Sequence, residues 1–482
     1  MAWTEFYCQS GGSNLNAGST TNNTATFTYA SGSWVSTTRV FTVASGNPLT
    51  DGVAVGDFAS VYADGSTATG FVARVTARDA TTITLSTTVD GGSAPSNGTN
   101  TRTLKIGGAW LGPTGTSAGP FAVFATELQN VSGHLPRFNL KNDADYAYTS
   151  GPSLSGGPYR VQGYTSSPGD GGRATLTRGT TGTTVTLSAA GSGMELIDLN
   201  FDTNGTTSAN AALSISGTEF ILRNIVFSNH RGFGLTISGD HCVITDCEWV
   251  NCNTSNAATT GGIGQAGVGN LFLRCVMHDN VTANSSGMRV TASSSSAIFM
   301  HCIFYNNGLY GASLIQTTGT YSFINCDFFA NTSDGVNHNA GSPTACYFEN
   351  CNFIDNGGWG LNAAGAGAVI TYMRNCAFGT GTMANASVKY TGMKVTNAEG
   401  EVDYATDTHP WADPTNGDFS ITLEAAKNKQ YTFFQTQGGP VDPYTPGAGI
   451  DSPTKSFSDI GAGQAECEEC VGGGGTEHSF VG

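Results

Sequence analysis

The sequence predicts an all-β protein wound as a parallel solenoid, with a small β module and one helix ahead of the regular part. Three observations predict it: apolar residues that recur in register, Asn or Asp at a fixed place in each repeat, and a composition rich in turn formers. From Met194 to Phe378 one column reads Leu199, Ile225, Cys247, Cys275, Cys302, Cys326, Cys351 and Cys376, with gaps of 26, 22, 28, 27, 24, 25 and 25 residues. Two places further on stand Phe201, Phe227, Trp249, Met277, Phe304, Phe328, Phe353 and Phe378. Three places before stand Leu196, Leu222, Ile244, Phe272, Phe299, Phe323, Phe348 and Met373. One such row cannot bury its apolar face alone, so each row leans on the next.

Inside a row, the spacing of two puts Cys and the aromatic on one face of a strand. The break of three before Cys signals a corner between two short strands. Asp198, Asn224, Asp246, Asn325, Asn350 and Asn375 occupy that corner, and both residue types tolerate the left-handed conformation of a sharp bend. Five places after the first column come Asn204, Asn280, Asn307, Asn331 and Asn356, whose stacked amides can hydrogen-bond along the column. Gly234, Gly287, Gly311, Gly335 and Gly360 then open the next strand.

These rows resemble the right-handed, single-stranded parallel β-helix of the pectate-lyase-like superfamily and of phage tailspikes. The resemblance implies coils stacked about 4.8 Å apart. It implies little about activity, because one fold hosts many functions.

Composition narrows the function classes. The 482 residues include 66 Gly, only 12% are charged, and the net charge is −16. An acidic surface repels nucleic acid and anionic membranes, and no run approaches the ~20 apolar residues of a membrane span. The first residues, Met1-Ala-Trp-Thr-Glu-Phe-Tyr-Cys8, lack the basic and apolar regions of a secretory leader. A virion or extracellular location is therefore expected, reached by lysis or a leaderless route. Of twelve Cys, the six at 247, 275, 302, 326, 351 and 376 form a structural ladder. Parallel Cβ vectors about 4.8 Å apart suit reduced, buried thiols better than disulfides.

Taken in order, residues 1–20 give a first strand and loop. Residues 21–105 alternate with period two, as in Phe71-Val-Ala-Arg-Val, and form an inserted small β module. Residues 106–193 hold a helix and the first irregular coils. In that helix Phe121, Phe124, Leu128 and Val131 follow helical spacing behind Pro120, and its expected task is to cover the open end of the solenoid. Residues 194–379 are the regular β-helix, 380–464 its closing coils, and 465–482 a flexible tail with Cys467 and Cys470.

Candidate chemistry is sparse, and no catalytic residue is assigned. Gly115-Thr-Ser117-Ala-Gly119 matches a nucleophile elbow but follows Leu-Gly-Pro-Thr rather than a strand. Cys467-Glu-Glu-Cys470 has no second pair to complete a zinc site. No metal and no cofactor are expected. The repeat itself points elsewhere, since places where a repeat departs from its own rule are where function is expected. Arg274 and His301 replace the corner Asn or Asp on adjacent rows; His278, Tyr305 and Phe329 stand three after Cys, with Asp279 and Asp327 nearby. Aromatic faces beside Arg, His and Asp suit sugar binding. Hydrolysis would need two carboxylates about 5–9.5 Å apart, for which Asp279 and Asp327 are the candidates. The structural alternative is that these residues pack against a long loop or a neighbouring subunit. The superfamily resemblance implies, for lyases, an acidic calcium cluster with a basic residue and, for galacturonases, Asn-Thr-Asp, Asp-Asp and Gly-His-Gly sets. Neither set is present.

The leading expectation is a non-enzymatic virion component of tail, fibre or head-decoration type, presenting a β-helix to a host surface or glycan. A polysaccharide-degrading or -binding β-helix and a self-assembling extracellular filament are the alternatives. Expected partners are further copies of the chain, as trimer or filament, other virion proteins and surface polysaccharide.

Overall fold

A computed structural model describes residues 3–378 except 14, 67–70, 87–94, 112–134, 149–152, 155–158, 179–186, 190–191, 203–210, 256–259, 293, 315–318, 339–344, 364–369 and 375; beyond them it describes strands at 382–384, 389–390, 411–413 and 418–421. The expected helix over 120–131, the Ser117 motif and the Cys467/Cys470 tail lie outside the described residues. The chain falls into two compact units, one of residues 1–271 with 279–285, the other of residues 272–278 with 286–482.

In the first unit, strand Trp3–Gln9 pairs in parallel with Leu135–Lys141, placing Phe6 beside Phe138 and Cys8 beside Leu140. Successive coils follow through Arg160–Tyr164, Glu195–Asp202 and Ile221–Ser228. The predicted columns hold their register. Leu196 pairs with Leu222 and then Ile244, and Phe201 with Phe227 and then Trp249. Their rings stack, Phe201 on Phe227 at 5.2 Å and Phe227 on Trp249 at 5.3 Å.

Residues 27–106 of this unit fold as a closed antiparallel barrel of six strands, Phe27–Val35, Val40–Thr42, Phe58–Ala63, Phe71–Arg78, Thr82–Leu85 and Gly98–Ile106. The period-two pattern buries Trp34, Phe41, Val61, Phe71, Val75, Ile83 and Leu104 inside it. The one helix among the described residues is the short Pro48–Asp51. Asn47 caps it by accepting from the backbone N–H groups of Leu49 and Thr50.

In the second unit each coil presents three short parallel strands. Phe299, Phe323 and Phe348 lie in register on the first sheet, and Phe304, Phe328 and Phe353 on the second. Like stacks on like at 4.8–5.1 Å within each column, while Phe323 meets Phe328 edge-on at 5.6 Å across the corner. The third sheet comprises Ser286–Val290, Ala312–Ser313, Val336–Asn337, Trp359–Asn362 and Thr382–Ala384. Glycine opens these strands for a steric reason. A Cβ at Gly311 would stand 2.6 Å from the carbonyl oxygen of Gly335, and one at Gly335 would stand 2.6 Å from that of Gly360.

The corner residues adopt the left-handed backbone expected of them. Asp198, Asn224 and Asp246 have φ of 55°, Asn325 52° and Asn350 53°. A second left-handed column, four places after the Cys column, was not read from the sequence; it holds Asn229, Asn251, Asp279, Asn306, Ala330 and Asp355, with φ of 49–59°.

The Asn column is a hydrogen-bonded ladder. The Asn307 amide nitrogen donates to Asn331 Oδ1 at 2.9 Å, and that of Asn331 donates to Asn356 Oδ1 at 2.9 Å. The same nitrogens donate to the carbonyl oxygens of Met277 and Phe304 on the preceding rows. The six Cys of the first column are buried and unoxidised. Their thiols point at main-chain carbonyls, Cys326 Sγ lying 3.4 Å from the oxygens of both Phe299 and Ile324. Burial pushes the Cys302 and Cys351 thiols well above their ordinary range.

The ladder sets a stability prediction. Asn331→Ala removes two donated and two accepted bonds at a site 1% exposed. It is expected to lower unfolding free energy by roughly 3–5 kcal/mol, because buried partners are left unsatisfied. A urea midpoint equal to that of the parent chain would contradict the ladder's role.

Candidate functional site

The sequence-predicted site maps onto the second sheet of the second unit. Its strands are Val276–His278, Ile303–Tyr305, Asp327–Phe329 and Asn352–Ile354. Met277, Phe304, Phe328 and Phe353 point inward, so by alternation the residues on either side of each face outward. His278, Tyr305, Phe329 and Ile354 make one outward column, and Ile303, Asp327 and Asn352 another.

The His278 and Tyr305 rings lie parallel, 4.7 Å apart and 7° from coplanar. His278 is half-buried, whereas Tyr305 and Phe329 are each 7% exposed and Ile354 is buried. Asp327 is fully buried and accepts a 2.7 Å bond from the Asn352 amide. The outward face is therefore open around His278 and closes toward Asp327. Asp279, the second carboxylate singled out by the sequence, belongs to the other unit.

Arg274 and His301 sit at the corner with φ of 52° and 53°. Arg274 is exposed and His301 half-exposed. They hold the left-handed bend, which the Arg side chain does not favour as Asn, Asp or Gly does and which His tolerates better. Their backbone N–H groups donate to the carbonyls of Met300 and Ile324 on the next row, so the ladder imposes the conformation.

Two further polar groups were missed by the sequence reading. On the outer face of the third sheet, Arg289, Ser313, Asn337 and Asn362 lie in register, flanked on the core side by Met288, Ala312, Val336 and Leu361. The signal was present, since each stands two places after the glycine that opens its strand. Beside them Asp334 accepts from the Trp359 backbone N–H at 2.8 Å and from the Asn362 amide at 3.0 Å. On the core side, His338 is fully buried with its Nε2 3.5 Å from Cys346 Sγ. Burial pulls its pKa down to about 4 and pushes the thiol up; the pair is neutral at pH 7 and lacks the thiolate of a cysteine nucleophile. Among the described residues, no three His, Cys, Asp or Glu side chains gather closely enough to hold a metal ion.

With the geometry in place, the comparisons can be read. Residues 186–353 match the family model described as a right handed beta helix region. Those coils are a right-handed parallel β-helix, the class of architecture that the registers above define. No curated protein matches the chain. Among solved structures, the chain is similar to the pectate lyase Pel9A at 15% identity, over 74% of this chain and 96% of that one, with a TM-score of 0.49. It is similar to the Dettilon tailspike protein at 11% identity, over 57% and 60% of the two chains, with a TM-score of 0.40. A mannuronan C-5 epimerase A-module from Azotobacter vinelandii follows at 12% identity, over 53% and 83%, with a TM-score of 0.38.

His338 generates a pH prediction. Its folded pKa lies below the ordinary 6.5, so the unfolded chain binds the proton more readily in between. The stability tied to neutral His338 is fully present above pH 6.5 and is lost as pH falls toward 4, about 3 kcal/mol in all. The difference in urea midpoint between pH 7 and pH 4 should shrink in His338→Gln, and an unchanged difference would contradict the assignment.

Proposed function

We propose that this chain is a polysaccharide-binding β-helix that engages sugar through the outer face around Arg274, His278 and His301. One observation carries the reading. Arg274 and His301 hold left-handed corners on adjacent rows where Asp198, Asn224, Asp246, Asn325 and Asn350 do so elsewhere. A non-Gly residue in this conformation costs of order 1–2 kcal/mol, less for Asn and Asp. Strain kept at two neighbouring positions, both bearing solvent-reaching donors, supports a function that the cheaper residue would not serve. Beside them the half-buried His278 ring, backed by the buried Tyr305 ring 4.7 Å away, supplies a flat surface with a partly open edge. Rings of this kind pack against sugar C–H faces, while Arg and His donate to hydroxyls. Tyr305, Asp327 and Phe329 are buried behind this face rather than lining it.

The finer reading places this β-helix on a virion, as an attachment component that presents the face to a host glycan. It rests on the acidic, Ser-, Thr- and Asn-rich sequence. Co-purification of the chain with virus particles from the source is the expected outcome, and its absence from purified particles would remove that placement.

The binding reading predicts opposite effects on stability and affinity. Arg274→Asn and His301→Asn should each raise unfolding free energy by about 1 kcal/mol. The double variant should also lose at least tenfold in glycan-array affinity. A double variant that gains stability and still binds as the parent does would sink the proposal.

A further inference from the structure

Sulfur fills one place in the repeat that packing alone does not reserve for it. In the first unit Leu199 and Ile225 hold that place, in register and fully buried. In the second unit Cys275, Cys302, Cys326, Cys351 and Cys376 hold it on successive rows, and the residues that follow them pair in parallel register from Val276 to Ala377. An aliphatic side chain would fill the core there as Leu199 and Ile225 do. The first four thiol residues are 0% exposed and Cys376 is 6% exposed, so one end of the column lies nearer to solvent.

The thiols form an unbroken line. Cys302 lies within hydrogen-bond reach of Cys275 and Cys326, and Cys351 of Cys326 and Cys376. None of the five is oxidised. Burial opposes a thiolate at Cys326, yet the Cys302 and Cys351 thiols donate to it from either side and bring its pKa below the ordinary range. Where a proton sits between two sulfurs, a cation that prefers sulfur can replace it.

Geometry and charge select the cation. A metal–thiolate bond is about 2.3 Å, so an ion midway between two sulfurs needs them roughly 4.6 Å apart, and rows repeat at about 4.8 Å. Zinc wants a tetrahedron of four ligands, whereas each gap in a single column offers two sulfurs in line. Among the described residues no three metal-binding side chains converge, and a two-coordinate ion needs no third. Soft monovalent ions such as Cu(I) bind thiolate and accept two ligands in line. Each one displaces one thiol proton, so the buried column stays neutral as it loads.

We propose that the five thiols of the second unit form a linear binding column for soft monovalent cations of the Cu(I) class, each ion held between the sulfurs of successive rows. Entry of an ion forms two sulfur–metal bonds and breaks one S–H bond. The proton leaves to the buffer, and no oxidation state changes. The column is independent of the glycan-binding face.

The test is anaerobic titration of the folded, reduced full chain, carrying Cys467→Ser and Cys470→Ser to remove the tail thiols, with Ag+ in chloride-free buffer. Silver is a redox-inert stand-in for Cu(I). Native mass spectrometry counts ions, a pH-stat counts protons, and X-ray absorption at the silver edge counts sulfurs per ion. About one proton per ion and about two sulfurs per ion are expected. Cys326→Ala removes both gaps that it borders and should lower the ion count by about two. Cys376→Ala, at the more open end, should lower it by about one, and serves where Cys326→Ala does not fold. No uptake by the folded chain, a count unchanged in the variants, or three or more sulfurs around each ion overturns the proposal.

Discussion

A left-handed residue placed just before the first apolar column governs how every regular row is wound. Along an extended strand, residues three apart face opposite ways. In each row, however, the residue two before the corner and the residue one after it both face the core, as Phe323 and Cys326 do around Asn325. Only a bend at the intervening residue turns that odd spacing into a common inside. Asp198, Asn224, Asp246, Arg274, His301, Asn325 and Asn350 all make the bend with φ of 52–55°. Removing it from one row would send that row's apolar residues to solvent and break register with the rows on either side.

Stacking then adds a second constraint. Each side chain meets the residue at the same place on the next row, so a column must be compatible with itself. Phenyl rings satisfy this by parallel stacking, and amides by donating to one neighbour while accepting from the other. Thiols satisfy it by pointing at main-chain carbonyls while lying against the thiols of the adjoining rows. Like charges do not satisfy it, which accounts physically for a chain only 12% charged. Where charge does enter a column it comes with compensation. On the first rows Glu5, Arg137, Arg160 and Glu195 lie in register, and each Arg bonds the Glu on its free side.

The same constraint explains what the sequence could reveal. Columns of Phe, Cys and Asn are visible as spacing, and so are the corners, because few residue types tolerate them. The period-two run in residues 21–105 likewise announced a β module, which closes as a barrel. Burial of an outward face leaves no such trace. Tyr305, Phe329 and Asp327 read as surface because they alternate with core residues, yet they are buried. His338 and Cys346 were equally opaque, since a separation of eight positions says nothing about a 3.5 Å contact inside a coil. The strip at Arg289 was legible in principle, two places after each glycine, but Ser and Asn there pass for ordinary turn residues.

Composition and conformation therefore mark function with different force. Asp327 departs from the composition of its column, where Ile303 precedes it, but the fold absorbs the departure by pairing it with Asn352 on the next row. Arg274 and His301 depart in backbone energy, and no neighbouring side chain can change the cost of φ near 52° for a residue with a Cβ. A packing misfit can be repaired by one compensating substitution nearby. A backbone strain can be repaired only at the strained residue itself, and at these two corners Asn, the residue that repairs it, already serves on the two rows that follow. Persistence of strain where so simple a repair exists is a stronger pointer to a site than an unusual residue whose neighbour has adjusted to it.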